Sequence, residues 1–157
     1  MGKKGFTFIE LVITIAIISI LASMVIPLSK TSVKRSKEME LRYDLRAMRN
    51  ALDAYKTAWD NDKIKKNIGE SGYPPDLASL VSGVDDASSP EAGKKIRFLR
   101  RIPRDPMNPD ADLAPEKTWG LRSYRSDPDD PKEGDDIFDV YSKSTETALD
   151  GTAYNTW

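Results

Sequence analysis

The sequence predicts an α+β protein in which one long, kinked N-terminal helix packs against a small antiparallel β-sheet. The first observation is an apolar run over residues 6–29, after which apolar residues continue at helical spacing. The second is a pair of segments, residues 119–126 and 137–142, whose aromatic and β-branched side chains favour strands. The chain therefore divides into a short basic leader (1–5), a hydrophobic half of the helix that is long enough to be transmembrane (6–29), and a globular domain (30–157) that includes the second half of the helix.

The composition excludes most catalytic chemistry. The chain has 157 residues without cysteine or histidine, which removes thiol and imidazole nucleophiles, disulfides and Cys/His metal sites. Its 24 basic and 25 acidic residues nearly cancel, so the net charge does not indicate binding to nucleic acid. We therefore expect a protein that is not an enzyme and has no nucleic-acid partner.

The apolar run follows a short basic leader and is long enough to cross a bilayer. The 19 residues from Leu11 to Ser29 carry no charge, and as a helix they would span about 29 Å. The carboxylate of Glu10 lies at the head of this run, where an ionised side chain is costly unless it has a partner. A secretory signal peptide or a plain membrane anchor would explain the run but not Glu10.

The residues around Gly5 carry a specific resemblance. Gly5 ends the charged leader, Phe6 follows, and Glu10 is the fifth residue after the glycine. This order is similar to a type IV prepilin signal, and the chain resembles the type IV pilin superfamily, whose pilin fold has the architecture predicted above. The resemblance implies cleavage between Gly5 and Phe6 by a prepilin peptidase and N-methylation of the new Phe6 amine. It also implies that Glu10 neutralises the Phe6 amine of a neighbouring subunit during assembly.

The helix is expected to continue to about Trp59. Pro27, at the distal end of the apolar run, predicts a kink because proline removes a backbone hydrogen bond. The alternative is a helix stop at the membrane surface, which the resumed helical pattern disfavours. That pattern is an apolar stripe at alternating spacings of four and three, formed by Leu41, Leu45, Met48, Leu52, Tyr55 and Trp59. The stripe predicts that the second half of the helix lays one face on the globular domain.

Shorter elements are expected beyond the long helix. Asp76 or the preceding turn can begin a short helix with its leucines facing inward. The composition of residues 82–95 predicts a loop, and two prolines exclude regular structure in residues 98–106. The two strand candidates are expected to pair as an antiparallel hairpin across the apolar stripe, joined by the acidic loop of residues 127–136.

The globular domain indicates which family within the pilin superfamily the chain resembles. Residues 101–106 read RIPRDP, and Asn108-Pro109 follow, although Met107 replaces a tryptophan and a glycine is missing before Asn108. This segment resembles the G subunit, the major pseudopilin of type II secretion systems. The alternatives are a type IV pilus subunit and a minor pilin that binds DNA through its arginines. Pairing of Arg101 or Arg104 with Asp105 is favoured over DNA binding.

The resemblance to the G subunit implies a structural subunit of the type II secretion pseudopilus, a helical filament of identical copies that drives protein export across the outer membrane. Its partners would be minor pseudopilins, the prepilin peptidase, and an inner-membrane assembly platform with its ATPase. The subunit would cross the inner membrane once, with its C-terminal domain in the periplasm, before it joins the pseudopilus.

The resemblance also implies a calcium ion in the loop after the last strand. Residues 142–157 contain only Glu146 and Asp150 as carboxylates, whereas calcium takes about six to eight oxygen ligands. Two interpretations stay open, and no other cofactor is expected. One is a weakly held calcium ion at Glu146 and Asp150. The other, which the sparse carboxylates favour, is a metal-free loop pinned by Tyr154 and Trp157.

Overall fold

The computed structural model describes residues 5–91 and 93–157, without the side chains of residues 24–28. These residues fall into two compact units, the first ending at Ser36 and the second spanning Lys37–Trp157. The predicted α+β class, with one long N-terminal helix and small antiparallel sheets, is confirmed. The predicted division between residues 29 and 30 stays a prediction.

Helix α1 spans Phe8–Asp60, which confirms the predicted length. Pro27 lies among the residues whose side chains are outside the described part, so its kink stays a prediction. Within the described part of the chain, no helix is both long and apolar enough to cross a membrane.

The core of the second unit is built on the predicted apolar stripe of α1. The stripe residues from Leu41 to Tyr55 are buried, and Trp59 is half-buried beside them. They pack with side chains from the rest of the unit, among them Leu80, Trp119, Ile137, Val140 and Tyr154. Because each buried aliphatic or aromatic side chain contributes about 1.5–3 kcal/mol, this stripe is the main attachment of α1 to the domain.

The predicted hairpin across the stripe is confirmed, with shorter strands. Strand β3 (Trp119–Arg122) and strand β4 (Asp139–Ser142) pair antiparallel, with Trp119 opposite Ser142. β3 ends four residues before the predicted limit. The Ser123 hydroxyl and the Tyr124 backbone N–H both donate to Asp136 Oδ1, at 2.7 and 2.9 Å, and these bonds turn the chain out of the ladder.

One glycine in this hairpin is required by close packing. Gly120 lies opposite Tyr141 in the ladder, and a Cβ at residue 120 would collide with the Tyr141 ring. The tyrosine ring therefore lies over the glycine backbone, an arrangement that a larger residue would prevent.

Five short elements complete the described part of the domain, the last of them a 3-10 helix at Tyr154–Thr156. The predicted short helix is α2 (Ala78–Ser82), where Asp76 Oδ1 accepts a hydrogen bond from the Ser79 N–H at 2.7 Å. The prediction of a loop over residues 82–95 was wrong at its ends, because β1 (Val84–Asp85) pairs antiparallel with β2 (Lys95–Ile96). Two-residue strands are too short to show an alternating pattern. Helix α3 (Pro115–Thr118), a single turn, was also not predicted.

Candidate functional site

Glu10 has a partner within its own chain at the start of α1. Thr7 precedes the helix, and both its backbone N–H and its hydroxyl donate to Glu10 Oε2, at 2.9 and 2.7 Å. The Glu10 N–H donates back to the Thr7 hydroxyl oxygen at 3.3 Å. This reciprocal pair is a capping box, which satisfies backbone donors that the first helical turn leaves unpaired. The T-x-x-E spacing could have revealed it, but sequence reasoning considered only a partner in another subunit.

The predicted cleavage site precedes this capped helix. Gly5 and Phe6 lie outside the helix, and nothing lies within 4 Å of where a Cβ on Gly5 would be. The Phe6 side chain is 85% exposed. Gly5 and Phe6 are thus both exposed immediately before the capped helix, while cleavage between them stays a prediction.

The first turns of α1 present apolar side chains on all sides. The exposed members are Phe8, Ile9, Leu11, Val12, Ile13, Ile15, Ile17, Ile18, Ile20 and Leu21. A helix that is hydrophobic all round is stable only inside a larger core or in lipid. The exposed apolar surface of this segment is typical of a helix that is buried in a larger core or in lipid.

The two predicted calcium ligands differ in their surroundings. Asp150 Oδ2 accepts a hydrogen bond from Arg42 Nη2 at 2.8 Å, and Asp150 Oδ1 accepts two from the backbone and hydroxyl of Thr152. The Thr152 hydrogen bonds, with the Arg42 guanidinium, hold the pKa of Asp150 below its usual value. The Glu146 backbone bonds within the loop, its N–H donating to Ser144 Oγ and its carbonyl accepting from the Tyr154 N–H.

This donor set does not fit calcium. One of the two carboxylates already neutralises a guanidinium, and calcium needs about six to eight oxygens. Across residues 5–91 and 93–157, no three acidic side chains gather closely enough to hold a metal ion.

Three charged side chains of α1 contact the C-terminal loop, which comprises residues 143–157. We call these three residues, Glu38, Arg42 and Arg49, the C-terminal clamp. Glu38 is 9% exposed, and its Oε1 accepts hydrogen bonds from the Leu149 N–H and the Tyr154 hydroxyl, both at 2.8 Å. Burial, and then the bond to Glu38, raise the pKa of Tyr154.

The two arginines of the clamp hold the end of the chain. The Arg42 guanidinium lies 4.0 Å from the centre of the Trp157 ring. Arg49 Nη2 donates to the Trp157 carbonyl at 2.9 Å and to the Val140 carbonyl at 3.1 Å, while its Nε pairs with Asp139 at 2.8 Å. Sequence reasoning named Trp157 as a pinning residue but missed all three members of the clamp.

Asp105, from the RIPRDP segment, is a structural carboxylate. It is 1% exposed, and it accepts hydrogen bonds from the Ser142 hydroxyl at 2.7 Å and from the Met107 N–H at 2.8 Å. The predicted pairing with Arg104 was wrong, because Arg104 Nη1 donates instead to the carbonyl of Leu113 at 2.6 Å. Asp105 thus bonds the irregular RIPRDP segment to strand β4.

Comparison with known proteins assigns the chain to a family. Residues 1–26 match the prokaryotic N-terminal methylation motif. Over 138 residues the chain is 32% identical to the type II secretion system core protein G of Klebsiella pneumoniae, covering 86% of this chain and 92% of that one. The chain belongs to the type II secretion system core protein G family. It is also 32% identical over 114 residues to the core protein G of Aeromonas hydrophila, covering 72% and 74%.

The family places the chain among the type IV pilin-like pseudopilins, as the RIPRDP segment predicted. The core protein G of Escherichia coli K12 is 30% identical over 111 residues, which is 69% of each chain. No solved structure matches this pseudopilin significantly.

Proposed function

We propose that this pseudopilin is the major structural subunit of a type II secretion pseudopilus and has no catalytic role. The first turns of α1 support this most directly, because they expose apolar side chains all round and carry one carboxylate at their head. Such a segment is stored in the inner membrane as a single span, with the C-terminal domain in the periplasm. It is then transferred into the apolar core of a helical filament, whose growth drives export across the outer membrane.

Processing prepares the charge that Glu10 pairs with. A prepilin peptidase cuts between Gly5 and Phe6, and the new Phe6 amine becomes an N-methylated ammonium group. Thr7 uses Oε2 of Glu10, so Oε1 is the oxygen through which Glu10 can accept a hydrogen bond from the ammonium of a neighbouring copy. Because an ion pair out of water gains little net stability, this contact sets the register between subunits more than it adds affinity.

The other partners are those of the family's machinery. The inner-membrane assembly platform and its ATPase extract each subunit from the membrane, and minor pseudopilins join the same filament. A type IV pilus subunit is the alternative within the same class, since it would use the same N-terminal segment. Deleting the gene in its own host separates the two. Retention of exported proteins in the periplasm supports secretion, whereas loss of surface pili with normal export would contradict it.

The pairing role of Glu10 is tested with two substitutions. Glu10→Gln keeps an oxygen for the capping box but removes the charge, and Thr7→Val removes the capping hydroxyl but keeps the charge. We expect both variants to be processed normally, and Glu10→Gln to give far fewer filaments than Thr7→Val. Filament yield is measured by shearing and immunoblotting. A normal yield from Glu10→Gln would refute the charge pairing.

Processing itself has an independent readout. Mass spectrometry of the membrane-extracted protein should give a chain that starts at Phe6 and carries one added methyl group. Replacing Gly5 with leucine should leave the full precursor on a gel. Normal cleavage of that variant would overturn the assignment of the leader.

A further inference from the structure

We propose that the C-terminal loop of residues 143–157 is held by the charged side chains of α1 instead of by a divalent cation, with the Arg42 guanidinium supplying the positive charge. This inference concerns the folded subunit and does not depend on how the filament works. It rests on the three clamp residues and on the bonds that their partners already make.

Arg42 places a positive charge against Asp150, one of the two carboxylates predicted to bind calcium. Its Nη2 lies 2.8 Å from Asp150 Oδ2, and its guanidinium plane covers the Trp157 ring at 4.0 Å from the ring centre. A guanidinium between a carboxylate and an aromatic face gains from both the ion pair and the cation–π contact. The same positive charge repels a calcium ion from Asp150.

Glu38 strengthens the attachment from the other side of the loop. Its carboxylate is buried and accepts hydrogen bonds from one backbone N–H and one hydroxyl of the loop, at Leu149 and Tyr154. Tyr154 is fully buried, so its hydroxyl has no access to water and depends on this acceptor. Oε1 of Glu38 therefore faces two hydrogen-bond donors of the loop, so this oxygen already has its partners without a cation.

Two further oxygens at or beside the loop already have partners. The Ser142 hydroxyl donates to Asp105 and accepts from the Ser144 N–H at 3.1 Å. Arg49 holds the carbonyl of Trp157. Glu38, Arg42 and Arg49 follow one another at intervals of four and seven residues, so one face of α1 presents the whole clamp to the loop.

Calcium dependence of the unmodified chain gives the first test. The full-length protein in detergent is unfolded by heat in excess EDTA and again in millimolar calcium, and circular dichroism follows the loss of structure. We expect the same Tm within about 1 °C. A true calcium site filled at a hundredfold excess over its Kd would raise the Tm by about 5–10 °C, and such a rise would overturn the proposal.

Substitution of the clamp gives the second test. We expect Arg42→Ala to lower the Tm by about 2–4 °C both with EDTA and with calcium, through loss of the ion pair and the ring contact. Arg35→Ala is the matched control, since Arg35 is an exposed arginine about two turns earlier on the same helix. Equal Tm values for Arg42→Ala and Arg35→Ala would contradict the role of Arg42. Should Arg42→Ala not fold while Arg35→Ala does, calorimetric titration of the unmodified chain with calcium decides, and measurable binding would overturn the proposal.

Discussion

Replacing Asp105 with alanine removes the buried carboxylate that joins the irregular segment 98–106 to strand β4. Two donors lose their acceptor at once, the hydroxyl of Ser142 and the backbone N–H of Met107. Ser142 is fully buried, whereas Met107 is half-buried and can gain a water molecule. The fold should therefore lose stability chiefly through an unsatisfied hydroxyl beside β4.

The size of this loss follows from the cost of unpaired polar groups. A buried hydroxyl without its hydrogen bond costs about 1–3 kcal/mol, and with the small cavity left at residue 105 the total is about 2–4 kcal/mol. In a chain of this length, 1 kcal/mol moves the Tm by about 2–4 °C, so Asp105→Ala should lower the Tm by about 5–15 °C. Asp105→Asn keeps one carbonyl oxygen for the Met107 N–H and should cost about 1 kcal/mol.

The assay is thermal unfolding of the full-length chain in detergent, followed by circular dichroism. Asp112→Ala is the control, because Asp112 is an exposed aspartate in the same stretch of chain. The order of stability should be control, then Asp105→Asn, then Asp105→Ala. A Tm for Asp105→Ala within about 1 °C of the control would show that the Ser142 and Met107 bonds do not hold the segment in place.

Two further substitutions test the hairpin and the helix surface. Gly120→Ala places a methyl group against the Tyr141 ring and should cost about 1–3 kcal/mol in urea unfolding; an unchanged midpoint would mean that the ring moves aside freely. Burial, and then the nearby Glu40, raise the pKa of Asp44 from an ordinary 3.8 to about 6. Because the pKa of Asp44 is higher in the folded state than in the unfolded state, ionisation of this carboxyl favours unfolding. The free energy of unfolding should therefore fall as the pH rises from 3.8 to about 6. Asp44→Asn should remove that fall. Because Asp44 is half exposed and screened by solvent, the substitution should raise the free energy of unfolding at pH 7.5 by at most about 1 kcal/mol. An identical pH slope in both proteins would refute this.

Local patterns were enough to predict the main elements of the fold. The apolar residues from Leu41 to Trp59 repeat at helical spacing, so the local sequence alone predicts which of them are buried. The hairpin was predictable for the same reason, although β3 ended early. The end of β3 depends on Asp136, which accepts hydrogen bonds from the Ser123 hydroxyl and the Tyr124 N–H. Asp136 lies more than ten positions further along the chain, so no local pattern identifies these bonds.

The C-terminal clamp could not be predicted from local patterns. Glu38 meets Leu149 and Tyr154 across more than a hundred residues, and on the sequence it is one of several charges on a polar stretch of helix. Arg42 and Asp150 are similarly separated. Asp105 was noticed as part of a motif, but its burial was not foreseen, since aspartates between prolines are usually exposed.

The capping box at Thr7 and Glu10 also determines the charge at the end of the helix. The aligned peptide dipoles place about half a positive charge at the start of α1, and a processed Phe6 ammonium adds a full one. The Glu10 carboxylate, held at that end by Thr7, brings the total down to about half a unit. With glutamine in place of Glu10, every subunit would bring about one and a half positive charges into the apolar core of the proposed filament. Neighbouring helix ends in that filament would then repel one another, most strongly where water is excluded.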